Sequence, residues 1–121
     1  MSYAREDLGW ARASAEASYF SRACFVAQQA AEKALKGCLV SKTGVYPRIH
    51  ALIELLESAS KLNPTLMTLK SNCDVLDEYY LPARYPIVRY ADDFESRDSS
   101  RAMAFALQIV DMVDNLIREA S

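Results

Sequence analysis

Arg84, Tyr85, Arg89 and Tyr90 are the side chains of this sequence best suited to chemistry. They fall within Y-Y-L-P-A-R-Y-P-I-V-R-Y, residues 79–90, which holds two arginines, four tyrosines and two of the chain's four prolines. A guanidinium presents a planar fork of donors that matches a phosphate and stays charged at neutral pH. The same fork also serves to brace a loop by donating to the carbonyls that end a helix, so Arg84 has a ligand-gripping and a structural reading. Proline fixes φ and biases its predecessor away from the helical region. Pro82 and Pro86 therefore predict that residues 81–90 are largely non-helical.

Lys33 and Lys36 add cationic groups upstream, in Q-Q-A-A-E-K-A-L-K. Glu32 to Lys36 is the favourable i, i+4 order, and the face formed by Gln29, Glu32, Lys33 and Lys36 reads most simply as solvated or partner-contacting, with a ligand site as the alternative. His50, the single histidine, stands at the entrance of a helical stretch, where it either caps or packs the turn or acts in catalysis. Asp92, Asp93 and Glu95 read as a solvated acidic loop before a divalent-cation site. The sequence has no phosphate-cradling G-x-x-x-x-G-K-[ST], no G-x-G-x-x-G, no H-E-x-x-H and no EF-hand loop. One histidine and no C-x-x-C pair argue against zinc, and we expect neither metal nor cofactor.

The elements that must position these groups are helices. From Tyr3 to Lys42 there is no proline and only Gly9 and Gly37. Ala4, Leu8, Ala11 and Ala15 recur at helical spacing, with Ser2 placed to cap and Glu6 and Asp7 placed to complement the helix dipole. Forty residues exceed one helix of a small domain, so a break is expected near Ser18–Ser21. Beyond it run Ala23, Ala27, Ala30, Ala31, Ala34 and Cys38, a small-residue stripe that permits close helix approach. Gly44 is a stop signal. Leu52, Leu55, Leu56, Ala59 and Leu62 mark a third helix. Asn63-Pro64 restarts the chain with a cap and a first-position proline, ahead of Leu66, Leu69, Cys73, Leu76 and Tyr80. Ser99 or Ser100 is placed to cap the last helix, whose seam is Ala102, Ala106, Ile109, Val113 and Leu116. Its apolar width suits the bundle centre or a dimer interface. The fold class is all-α: an up-and-down four-helix bundle with a short additional helix, one domain over residues 1–121.

Composition agrees. The 121 residues carry a formal charge of −2 with 25% charged and 51% hydrophobic residues, which speaks against polyanion binding through bulk charge and leaves room for a local basic site. Three cysteines, Cys24, Cys38 and Cys73, make a poor disulfide framework. The start, M-S-Y-A-R-E-D, lacks a signal-peptide pattern, and no apolar run approaches the ~20 residues of a membrane span. The expected location is cytoplasmic, with no membrane partner.

Four blocks taken together, F-V-A-Q-Q-A-A-E-K-A-L-K-G (25–37), P-R-I-H-A-L-I-E-L-L (47–56), Y-Y-L-P-A-R-Y-P (79–86) and the small-residue C-terminal helix, resemble the small stand-alone HEPN domain proteins of prokaryotes. The resemblance runs over essentially the whole chain. It implies a four-helix bundle that usually forms a homodimer. It also implies a neighbouring minimal nucleotidyltransferase with which such proteins act as a two-component, often toxin–antitoxin, module. Many HEPN domains are metal-independent ribonucleases with an Arg, four to six intervening residues and a His, two copies facing across a dimer groove. Arg84 matches the arginine of that motif. Arg89 and Tyr90 follow it five and six positions on in the chain, and no histidine follows it anywhere. Arginine stays protonated at neutral pH and tyrosine titrates near ~10, so neither replaces the histidine as a base.

The phosphate-gripping half of the motif is present and the proton-transfer half is absent. The leading expectation is a nucleotidyltransferase partner that binds nucleotide or RNA through Arg84, Tyr85, Arg89 and Tyr90, with Lys33 or Lys36. Tyr90 would be the acceptor if the partner transfers a nucleotide. The alternatives are a ribonuclease that recruits His50 to Arg84, and a non-catalytic protein-interaction module.

Overall fold

Alanine spacing determines how closely the helices meet. A computed structural model describes residues 2–84 and 94–120. Helix α1 spans Ser2–Glu16 and α2 spans Phe20–Thr43. The break falls where serines flank the aromatics. Ser14 accepts from Tyr19 N–H at 2.8 Å and Ala15 accepts from Ser18 N–H at 3.0 Å, the crossed pair of bonds that closes a helix C-terminus. Ser18 takes φ 66° to make them, a left-handed conformation that usually falls to glycine. Gly44 ends α2 in the same conformation, φ 73°, its N–H bonded to Val40 O. Ser2 is itself the first helical residue of α1 rather than a cap outside it, and no acid lies in that helix's first turn, so Glu6 and Asp7 sit one turn too far along to complement the dipole.

Helix α3, Leu52–Leu62, is short. Asn63 then accepts from Thr65 N–H and Pro64 opens a 3₁₀ turn, Pro64–Leu69, which passes into α4, Lys70–Arg84. The proline restart is as its chemistry requires, with its first six residues wound tighter than an α-helix. α5 covers Ser96–Ala120. It starts earlier than Ser99 or Ser100 would allow as caps. Asp98 reaches back to accept from Glu95 N–H at 2.8 Å, the reciprocal half of a capping box, and Ser99 is buried inside the first turns.

Side-chain pairs give the topology. Lys33 meets Asp7, so α1 and α2 are antiparallel. Arg5 meets Asp111 and Asp114 near the far end of α5, so α1 and α5 are antiparallel as well. Asn72 at the start of α4 donates to Phe105 O and Gln108 Oε1, while Tyr79, near the other end, packs on Phe94, just ahead of α5. The long helices thus alternate, up, down, up, down, with α3 as the short extra element. α2 and α5 run parallel through the centre. Ala23, Ala27, Ala30, Ala31 and Ala34 are fully buried there, as are Ala102, Ala106, Ile109, Val110 and Val113. α2 touches all four other helices and is the central element, with α5 against it. Among the described residues no strand is present and no helix is long and apolar enough to cross a membrane.

All three cysteines are buried. Burial pushes the Cys73 thiol up to about 12, helped by the charges of Asp77 and Asp74, and it raises Cys38 against the lowering effect of Lys42. They behave as small hydrophobes.

Candidate functional site

The sequence expectation of a solvated Gln-Glu-Lys face on α2 fails at its centre. Gln28, Glu32 and Lys36 recur every fourth residue, a spacing that stacks them on one stripe. That stripe turns inward, and Gln28 is 0%, Glu32 7% and Lys36 3% exposed. Lys33 remains exposed. The loop after α2 and the helices beyond it supply the cover. Lys36 Nζ donates to Glu32 Oε2 at 3.0 Å and lies over the Tyr46 ring, 5.2 Å from its centroid. His50 Nδ1 stands 3.3 Å from the same Glu32 oxygen. Glu32 Oε1 and Gln28 Nε2 are buried with no hydrogen-bond partner among the described residues. A buried carboxylate therefore anchors both a helix neighbour and the α2–α3 loop.

His50 is not the cap of α3. The N-cap position is Ala51, which has no side chain to offer. Asp77, from α4, performs that task at long range, accepting from Leu52 N–H at 2.9 Å and Ile53 N–H at 3.2 Å. Burial pushes the Asp77 carboxyl above its ordinary value, the two backbone donors pull it down, and Asp74 and Glu32 add to the rise. Because the donors belong to orphan N–H groups at a helix start, the pairing fixes where α3 begins relative to α4.

Arg84 is the last residue of α4. Leu81, Pro82, Ala83 and Arg84 are helical, against the expectation of a non-helical segment from residue 81. Proline's fixed φ is itself helical, and in the last turn of α4 its missing N–H and the crowding of its ring against the preceding turn weaken the helix without ending it. Tyr85, Arg89 and Tyr90, with Asp92 and Asp93, lie outside the described residues.

The candidates are not all brought together. His50 and Lys36 meet at Glu32, at the level where Asp77 receives the start of α3. Arg84 lies seven residues beyond Asp77, roughly 10 Å further along the helix axis at about 1.5 Å per residue. Lys36 also lines, together with Lys33, a cavity of about 570 Å³ whose walls include Tyr3 of α1, Ser41 of α2 and Tyr46 of the loop. Among the described residues no cluster of His, Cys, Asp and Glu is arranged to hold a metal ion.

Sequence reasoning missed Asp77, whose partners are twenty-odd positions away, and it placed Glu32 on the solvated side of α2. An i, i+4 Glu–Lys pair looks the same in sequence whether buried or exposed. The Tyr46 ring and the His50 imidazole that cover it come from a loop whose path leaves no periodic signal.

Comparison with known proteins gives a consistent result. The HEPN domain family model matches residues 1–116. A crystal structure of ST0689, an archaeal HEPN homologue, is 34% identical, with TM-score 0.78, covering 94% of this chain and 91% of that one. The crystal structure of TT1696 from Thermus thermophilus is 32% identical, with TM-score 0.85, covering 93% of this chain and 91% of that one. No curated protein matches.

Proposed function

Since the chain belongs to the HEPN domain family, we propose that it is a single-domain, cytoplasmic, homodimeric HEPN protein that serves as partner subunit of a minimal nucleotidyltransferase in a two-component module. In this reading it binds a nucleotide or RNA phosphate through Arg84 and the residues that follow it. One observation supports this above the others: α4 continues through Arg84. The arginine that matches the family's phosphate-gripping position is mounted on a helix, and Asp77 and Tyr79 pin that helix to α3 and to Phe94. A guanidinium carried on a fixed element loses less entropy on gripping an anion than one carried on a loop. Tyr85, Arg89 and Tyr90 complete the proposed binding segment, and Tyr90 supplies the hydroxyl for any nucleotide that the partner transfers.

Cleavage of RNA is not part of the proposal. His50 is engaged by Glu32, well below the end of α4, so proton transfer beside Arg84 has no support within one protomer. The interaction-module reading makes Arg84 a brace and nothing more.

Arg84→Ala separates the readings. A fall of tenfold or more in affinity for a short RNA or nucleotide, about 1.4 kcal/mol, with an unchanged melting temperature is the expected result. Lowered stability with unchanged affinity supports the brace. Intact-mass measurement with the partner and ATP tests Tyr90, and absence of added nucleotide mass removes the acceptor role.

A further inference from the structure

The cavity between α1, α2 and the α2–α3 loop has the composition of a small-molecule site, and the function proposed above, which rests on Arg84 and the residues after it, does not use it. At about 570 Å³ it falls within the range typical of ligand pockets, which are mostly apolar with a few convergent polar groups. Its apolar parts are Ala4, Gly37, Val40 and the rings of Tyr3 and Tyr46. Those two rings come from different elements and remain 73% and 66% exposed. Its polar groups are chiefly two ammoniums three residues apart on α2, a spacing that makes them neighbours on the helix surface.

Neither lysine is spent. An ammonium has three N–H donors. Lys33 Nζ is 2.7 Å from Asp7 Oδ2, and Lys36 Nζ is 3.0 Å from Glu32 Oε2. Each leaves donors for an oxygen arriving from the cavity. Lys36 is itself almost fully buried, a setting in which a hydrogen bond to charge is stronger than in water. The two cations and two carboxylates nearly cancel. With no surplus positive charge, an anion is held only by the ammoniums' remaining donors, so the site suits a charge of −1, whereas a polyphosphate or an RNA strand meets the repulsion of Asp7 and Glu32 several times over.

We propose that this cavity binds a small aromatic monoanion, a planar ring carrying one carboxylate. The ring lies against Tyr3 and Tyr46, and an anionic oxygen bridges Lys33 and Lys36. The site is separate from Arg84, which stands beyond the Asp77 level on α4. Ring and anion are both required: the ring without the anion leaves the donors unused, and the anion without the ring leaves the tyrosines exposed.

Calorimetric titration and saturation-transfer NMR on the full chain test this with indole-3-carboxylate as the probe. Indole, acetate, AMP and ATP are the controls. Saturable binding of the probe is expected, with the neutral ring, the ring-free carboxylate and the more highly charged nucleotides at least tenfold weaker. Lys33→Met and Tyr46→Ala each change an exposed residue, so both variants should fold. Each should weaken the probe tenfold or more, while Arg84→Ala leaves it unchanged. The proposal is overturned if the probe does not saturate below about 10 mM, well past the weak end of specific affinities, if AMP binds as tightly as the carboxylate, or if binding follows Arg84 instead of Lys33 and Tyr46. It is also overturned if the cavity variants change only the sedimentation of the protein, since the cavity is then an interface.

Discussion

Two charged clusters hold this bundle together, and they obey opposite rules. On one side, Glu32 and Lys36, beneath a cover of side chains, join the exposed His50 and the half-buried Asp77 in tying α2, the loop, α3 and α4 together. On the other, Arg5 of α1 lies 2.9 Å from both Asp111 and Asp114 of α5, and Arg118 adds a second cation to Asp114 at 3.3 Å. The charge types are the same and the distances are similar. What differs is water. At the α1–α5 rung Asp114 is as buried as Glu32, but its partners are not: Arg5 and Asp111 are about half-exposed and Arg118 more so, and solvent and salt therefore do much of the work that the partner would do. In the α2 cluster the Glu32–Lys36 pair has been removed from water, and each charge depends on its neighbour.

The largest effect follows from that dependence. Lys36→Met leaves Glu32 buried with only His50 beside it, and breaking a buried pair from one side costs about 3–5 kcal/mol. Adding Glu32→Leu should recover most of that loss, because a buried ion pair replaced on both sides by apolar groups is often neutral. Urea titration of the two single variants and the double variant closes the cycle. Additive losses, with no recovery in the double variant, would show that the pair is solvated in solution and that the two clusters do not differ.

How much of this could be read beforehand depended on the range of the interaction. The alanine stripe of α2, the seam of α5, the Gly44 stop and the Asn63-Pro64 restart are all written in neighbours within four residues, and each stands where the sequence puts it. The all-α class follows from the same local signals. The cap of α3 does not, because Ala51 occupies the position where a sequence search looks and the acceptor is Asp77 on another helix. The burial of Lys36 escaped for a related reason. Amphipathic periodicity identifies the apolar side of a helix, but it cannot say that a loop will fold back over the polar side. Of the candidate site, Lys33, Lys36 and His50 were picked out by residue type. Their division into a cavity wall and a loop anchor needed three dimensions. Arg84 was read as loop chemistry because two prolines outweighed the helical run before them.

The same contrast gives opposite responses to pH. Asp77 has a carboxyl raised by burial, so the folded state holds its proton more tightly than the unfolded chain does. Where the folded state binds more protons, stability falls as pH rises. Its contribution is therefore greatest below the ordinary aspartate value and declines as pH climbs through the raised one. Asp77→Asn removes this decline while keeping one acceptor for the first turn of α3. The difference in melting temperature between the native chain and the variant should drift against the native chain as pH increases from about 3.5 across the range above the ordinary carboxylate value of ~3.9. A flat difference would mean that the two backbone donors offset burial completely.

Cysteine labelling probes the same interior with a smaller signal. Cys73 has its thiol pushed up to about 12, chiefly by burial, and only the thiolate reacts. At a pH of about 7.5, below even the ordinary thiol value, Cys73 should be silent toward a thiol-specific disulfide reagent in the folded protein and react promptly in urea, as read by mass after proteolysis. Fast native labelling of Cys73 would mean that the interior between α4 and its neighbours opens readily. The contrast between a dry side and a wet side of the bundle would then be lost.

The smallest effect belongs to the exposed rung, and it has the reverse sign. Arg5 lowers the Asp114 carboxyl through a hydrogen bond, with Arg118 assisting, while burial opposes. A lowered folded value means that the unfolded chain binds the proton more readily. The stabilisation is present above the ordinary aspartate value and is lost as pH falls through the lowered one. Arg5→Ala should therefore narrow the difference between native and variant melting temperatures as pH drops below the carboxylate range. Screening shortens the reach of exposed charges to about 3 Å at roughly 1 M ionic strength, so salt at neutral pH should narrow the same difference. The Lys36→Met loss, by contrast, should barely respond to salt. If about 1 M salt reduces both in the same proportion, water reaches Lys36 as freely as Arg5, and burial is not what separates the two clusters.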